Sequence, residues 1–214
     1  MSRISEIIES LFPSYCVGCR VRGGDICRGC ARVLPPAQAP ESTWTISLFA
    51  YQDPRIRKLI HLLKFKNRKR VAQFFAPYIA TAIKEFLGEE AHFISAEVFL
   101  VPIPLSRNRQ KIRGYNQAEL LAREAVPLIG EGVVLRTDIL RKTKETIAQT
   151  DMKRRSERMK NISDCFSIEA SLNDIQKTVI LIDDVTTTGA TLSSARKALK
   201  EAGFKKVYAL TVAH

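Results

Sequence analysis

The sequence predicts an α/β domain built on a parallel sheet flanked by helices, with a small cysteine-rich module at its N-terminal end. Three observations carry this expectation. First, "EVFLVPIP", "TVILID" and "KVYALTV" are near-continuous apolar runs, the mark of strands buried on both faces. Second, the last two enclose the amphipathic stretch "ATLSSARKALKEAG", giving a strand–helix–strand unit. Third, four of the five cysteines fall between positions 16 and 30, apart from the alternating pattern that follows.

At 214 residues and 45% hydrophobic content, the chain can bury one substantial core and a small appendage. The net charge of +12 favours polyanionic partners: phosphorylated small molecules, nucleic acid or acidic membrane surfaces. No run of about 18 apolar residues is present, which argues against a spanning helix. The first residues, "MSRISEIIESLFPSYC", lack the uninterrupted apolar core of a secretory signal, so a cytoplasmic location is expected. Ile4, Ile7, Ile8 and Leu11 recur at helical spacing and suggest a short amphipathic helix.

The proline-bearing stretch "VLPPAQAPEST" reads as a linker or ledge, dividing a module at residues 1–40 from a main domain at 41–214. "WTISLFAY" reads as the first strand of that domain. "DPRIRKLIHLLKF" opens a helix, with Asp53 as N-cap and Pro54 at its first position. A second helix is expected over about 70–87. "EVFLVPIP", at 97–104, is a strand stopped by prolines. The segment from Gly114 is a helix with Ala118, Leu121, Ala122 and Ala125 on its apolar face.

Cys16 and Cys19 form one Cys-x-x-Cys pair, and Cys27 and Cys30 a second. Each pair puts two thiolates on a tight turn, and the intervening residues, with Gly23 and Gly24, can fold back to complete a tetrahedral four-sulfur site for zinc. Two disulfides or buried free thiols are the alternative, which a reducing compartment disfavours. A closed four-thiolate site has no open coordination position, so a structural role, or one as a binding knob, is expected rather than a catalytic one. Cys165 stands alone and reads as a core residue.

"VILIDDVTTTGAT" carries the main site. In open α/β sheets ligands bind beyond the carboxyl ends of the strands, where Asp183 and Asp184 are expected. The threonine loop ends where the next helix begins, and free amides there attract phosphate. Two carboxylates beside a phosphate need hydroxyl groups or a cation to face, and a ribose diol with Mg²⁺ nearby supplies both. The Gly-Lys-Ser/Thr ending of a nucleotide-binding P-loop is missing. A threonine-rich cap with two solvated acids is the simpler alternative.

This stretch resembles the 5-phosphoribosyl 1-pyrophosphate (PRPP) motif of type I phosphoribosyltransferases. The resemblance implies a type I phosphoribosyltransferase-like sheet. It also implies that Asp183 and Asp184 meet the ribose hydroxyls while Thr186, Thr187, Thr188, Gly189, Ala190 and Thr191 surround the 5-phosphate. With "VPIPLSRNRQKIRGYNQAELLA", the cysteine pairs and "RKTKETIAQTDMKRRSERMKNISDCF", the chain resembles the ComF (competence protein F) family along nearly its whole length. That resemblance implies a part in DNA uptake during natural transformation, with single-stranded DNA and a competence helicase as partners.

Three basic segments complete the picture. Arg107 and Arg109 follow the strand end where the resemblance places pyrophosphate, and guanidinium forks suit such an anion; a solvated loop is the alternative. Capping by Asn116 and packing by Tyr115 compete with binding roles for these two residues. The segment 141–160 corresponds by analogy to a hood over the ligand, with Thr146, Gln149, Arg154, Arg155 and Arg158 as candidate contacts. The third, with Lys64, Lys66, Arg68, Lys69 and Arg70, is dense enough to neutralise several phosphates and is the candidate nucleic-acid surface. Within it, His61 reads as structural, and Phe65 as a core residue with base stacking as the alternative. Three functions stay open on the sequence: a DNA-handling competence protein that binds PRPP, an active phosphoribosyltransferase, and a non-catalytic PRPP sensor.

Overall fold

The computed structural model describes residues 14–38, 42–66, 68–89, 97–143 and 165–214. The amphipathic segment containing Ile4 to Leu11, the boundary after residue 40 and the hood candidates Thr146, Gln149, Arg154, Arg155 and Arg158 lie outside the described residues.

A five-stranded, wholly parallel sheet carries the chain, with strand order β1-β7-β6-β2-β3. The strands are β1 (Thr45–Phe49), β2 (Val98–Pro102), β3 (Val133–Leu135), β6 (Thr178–Val185) and β7 (Lys206–Ala213). A separate antiparallel pair, β4 (Leu140–Lys142) with β5 (Phe166–Ile168), lies outside it.

One face of the sheet is covered by α2 (Pro54–Phe65), α3 (Lys69–Glu89) and α5 (Gln117–Ile129). As expected, Asp53 caps α2, accepting from the amides of Arg55 and Ile56, with Pro54 just inside. Ala118, Leu121, Ala122 and Ala125 of α5 are fully buried, the last three in one core with Leu100, Ile180 and Ile182. The other face carries α6 (Ala190–Glu201), which presses Leu192, Ala195 and Leu199 onto Phe99, Val179 and Leu181. Strand residues alternate between the two cores, so β2 and β6 are apolar at every central position. Cys165 is buried in this second core, beside Ile139 and Phe166.

Three elements go beyond the sequence expectation. The basic stretch after β2 is a short helix, α4 (Arg107–Arg113), capped by Ser106 and ended by Gly114 at φ 74, a left-handed conformation that suits glycine. Short α1 (Arg28–Arg32) follows Cys27 in the cysteine module. The prolines after that module are held to the sheet: Ala37 donates to the Leu48 carbonyl and Ala50 to that of Pro35.

Candidate functional site

Strand order alone picks out one place on this sheet. From β2 the chain crosses through α5 on one face to β3, and from β6 it crosses through α6 on the opposite face to β7. The two connections leave the β2–β6 pair in opposite directions, opening a crevice beyond the carboxyl ends of these strands. Asp183 and Asp184 lie there, inside β6 and not after it, and Ile103 extends the pairing by donating to the Ile182 carbonyl at 2.9 Å.

Because strand side chains alternate, the two aspartates face opposite layers. Asp184, 3% exposed, turns to the α2 side, where Lys64 Nζ lies 2.8 Å from its Oδ2. Asp183 keeps part of its surface in solvent and accepts the Asp184 amide at 2.8 Å. Burial, and then the Asp184 charge beside it, push the Asp183 carboxyl up to about 8, against the opposing pull of Lys64. Arg113 stands close enough to feel both aspartates, and Lys142 of β4 feels Asp183; burial draws the pKa of each cation below its ordinary value, and nearby Arg109 adds to that. Lys64 thus pairs with one carboxylate, Arg113 stands near both and Lys142 near Asp183, an arrangement with surplus positive charge for an anion.

The threonine loop has the shape of an anion cradle. Thr187 and Thr188 are exposed, Thr186 and Thr191 half-buried, and Gly189 sits at φ 67 directly before Ala190 opens α6. No side chain caps this helix, and its first turn holds no acidic residue, so its leading amides are available to a ligand. Gly189 is required by its left-handed backbone, since an added Cβ would meet nothing closer than 4.0 Å.

At the N-terminal end the four cysteines converge. Their sulfurs all lie within 4.8 Å of one another, and Cys19 and Cys27 are 3.6 Å apart. A tetrahedral site with metal–sulfur bonds of about 2.3 Å has an edge of roughly 3.8 Å, so the cluster can hold a metal such as zinc. None of the four is in a disulfide. Burial raises the Cys16 thiol, but amide donors including those of Cys27 and Gly18 outweigh it and bring it down to about 6. Hydrogen bonds within the cluster, first to Cys27 and then to Cys16, push Cys30 up to about 12. A bound divalent cation would hold all four as thiolates. Gly18 leaves no room for a side chain: a Cβ there would come 2.7 Å from Cys30 Sγ.

The basic turn joining α2 to α3 packs against this module. Arg68 Nη1 donates to Ser14 Oγ at 2.9 Å, and Arg70 faces the Gly23–Ile26 turn, while Lys69 is exposed at the start of α3 and Lys66 caps α2. Lys64 does not share that surface, because its amine points into the aspartate crevice.

No protein-family model matches the chain. Among curated proteins it is similar to competence protein F of Haemophilus influenzae, at 28% identity over 92% of this chain and 82% of that protein. It also matches two proteins named ComFC, from Bacillus subtilis (30% identity, 73% of this chain) and Streptococcus pneumoniae (34%, 69%). The chain is a homologue of the ComF competence proteins. It spans 58% and 64% of the length of the two ComFC relatives. A solved hypoxanthine phosphoribosyltransferase from Staphylococcus aureus superposes at a TM-score of 0.41 with 13% identity, covering 67% of this chain and 62% of that one.

Several site neighbours of this ComF homologue were not visible as such in its sequence. Lys64 belongs to Asp184, and Lys142 feels Asp183 from a strand outside the main sheet. Tyr115 donates its hydroxyl to the Leu63 carbonyl, pinning the last turn of α2 over the crevice. Asn116 caps α5 and also donates to the Ile103 carbonyl at 3.0 Å, which fixes the path after β2. The core placement expected for Phe65 is not observed. Its ring is 57% exposed, with His61 4.9 Å away and the Arg113 guanidinium 5.1 Å above it, because the last turn of α2 extends past the layer it covers.

Among the described residues, no helix is long and apolar enough to cross a membrane.

Proposed function

We propose that this chain acts in competence for DNA uptake by binding PRPP with Mg²⁺ in the β2–β6 crevice and single-stranded DNA on the basic turn beside the cysteine module. One observation carries the reading: two aspartates at a sheet switch point run straight into an uncapped helix start, with Lys64, Arg113 and Lys142 close by. In this reading the amides of Ala190 and Thr191 and the hydroxyls of Thr186, Thr187 and Thr188 take the 5-phosphate. Asp183, the more open carboxylate, takes the ribose hydroxyls or the Mg²⁺. Asp184, held by Lys64, fixes the register behind it. Arg107 and Arg109 lie at the β2 end of the crevice and suit the pyrophosphate.

The segment 144–164 leaves and returns between Thr143 and Cys165, which are hydrogen-bonded to each other next to Lys142, a placement that supports its reading as the hood. Homology to the ComF proteins supports the competence role, and a helicase of the uptake machinery is the partner this proposal adds.

Calorimetry with PRPP and Mg²⁺ tests the ligand. The native protein should bind and the Asp183→Asn/Asp184→Asn double variant should not; a native protein that releases no heat with PRPP would sink the assignment. Pyrophosphate release on adding candidate nucleobases separates a transferase from a protein that only senses PRPP. Filter binding of single-stranded DNA in moderate salt tests the second arm, and co-elution with the competence helicase the third.

A further inference from the structure

The outer side of α2 carries a row of side chains that the crevice does not use. Ile56, Leu59, Ile60 and Leu63 turn into the core, so Arg57, Lys58, His61 and Phe65 come out on the opposite side, and these are exposed. Arg57, His61 and Phe65 follow one another at helical i, i+4 spacing and form a single ridge, with Lys58 beside it and exposed Lys66 directly after the ring. Neither α2 nor α4 contains an acidic residue, and among the described residues Arg57, Lys58 and Lys66 take part in no ion pair.

Phe65 is the anomaly in this row. A large apolar side chain left 57% exposed at a helix end gains little from folding. Its ring is nevertheless held in place. The Arg113 guanidinium lies 5.1 Å from the ring centroid and is itself anchored, since its Nη1 donates at 2.8 Å to Oε1 of Gln117, a side chain only 4% exposed. His61 sits 4.9 Å from the ring on its other neighbouring turn, tilted by 43°. Contacts from α2 and α4 therefore orient the ring while much of it faces water. An oriented, open aromatic ring between exposed cations suits a strand whose base stacks and whose phosphates pair with the charges on either side. Lys58 and Arg57 precede the ring by about 10–12 Å along the axis, at about 1.5 Å per residue. Lys66 flanks it on the other side.

We infer that Phe65 is a stacking platform for an unpaired nucleobase, on a track for single-stranded DNA that leaves the basic turn at Lys66 and follows the outer ridge of α2 past His61 to Lys58 and Arg57. The inference deepens the DNA reading above and rests on it for the strand. It adds a base contact to what was a purely electrostatic surface: an acidic peptide or a bare phosphate chain would satisfy the cations and leave the ring open.

The test is fluorescence anisotropy on the full-length, zinc-loaded protein with labelled dT20 and with an abasic strand of the same length and charge. The native protein should bind dT20 about tenfold tighter than the abasic strand, within the range of base–aromatic stacking. Phe65→Leu should bring the two strands to within about twofold by weakening dT20 alone, whereas Phe65→Tyr, which keeps a ring, should retain the difference. Arg57→Glu with Lys58→Glu should weaken both strands alike and lower the slope of log affinity against log salt by about 0.7 for each phosphate released.

Equal affinity of the native protein for dT20 and the abasic strand overturns the platform. So does a preference for dT20 that survives in Phe65→Leu. If dT20 binding falls on reversing charge at Lys66 and Lys69 but not at Arg57 and Lys58, the DNA reading stands on the turn and the ridge fails. If neither strand binds the native protein, the DNA reading fails and takes the platform with it.

Discussion

Replacing Asp183 by asparagine should make the protein more stable and unable to bind its ligand. In the free protein the carboxyl of Asp183 is raised from 3.8 to about 8 by burial and by Asp184. The sign follows from linkage: the folded state holds this proton more tightly than the unfolded chain, so its effect on stability becomes unfavourable as pH rises from about 4 to about 8. The full rise corresponds to a ceiling of ~6 kcal/mol at ~1.4 kcal/mol per pH unit. Asp183 keeps part of its surface in water and has Lys64 nearby, which screens the charge and brings the expected gain to about 1–3 kcal/mol. For a domain of this size that is an increase of about 3–8 °C in Tm at pH 9. At pH 5 about a third of the gain should remain, since only the first part of the titration window has been crossed. Thermal melts of native and Asp183→Asn protein at the two pH values measure it. A Tm difference that does not grow between pH 5 and pH 9 would refute the idea that a repelled carboxylate is held in the crevice.

The partner perturbation has the opposite sign. Lys64→Met leaves Asp184 buried without its cation and should cost about 2–4 kcal/mol at pH 7, read as a lower urea midpoint with unchanged m; an unchanged midpoint would show that the pair is idle. Gly18→Ala places a methyl group against Cys30 Sγ and should sharply reduce bound zinc, as measured by metal analysis of the purified protein, whereas Gly29→Ala, where an added Cβ meets nothing within 4 Å, should retain it. Reversing charge at Lys66 and Lys69 should weaken single-stranded DNA binding and lower the slope of log affinity against log salt by about 0.7 for each phosphate no longer neutralised. Weaker binding with an unchanged slope would mean that these lysines do not touch the backbone.

Much of this molecule was legible before folding because the relevant signals are local. A proline after an aspartate starts a helix whatever lies around it, and α2 begins where "DP" places it. Apolar runs bounded by turn residues became β2, β6 and β7, and two Cys-x-x-Cys turns brought four sulfurs together. The basic stretch after β2 was harder. Its only local helix signals are Ser106 and Gly114 at its ends, and α4 buries no residue, so no hydrophobic period marks it. Strands β3 to β5 have three residues each, too few for a pattern of alternation to stand out.

The sequence alone determined the strand–loop–helix that presents Asp183, Asp184 and the threonines, because spacing along one chain decides which groups share a turn. Only the tertiary structure decided what surrounds them. Lys64 reads as one member of a basic run, yet it faces Asp184 while Arg68 and Arg70 serve the cysteine module, because the direction of a side chain depends on how α2 is laid across the sheet. Pairings between residues far apart in sequence depend on the packing of layers, and packing leaves no mark at either residue by itself.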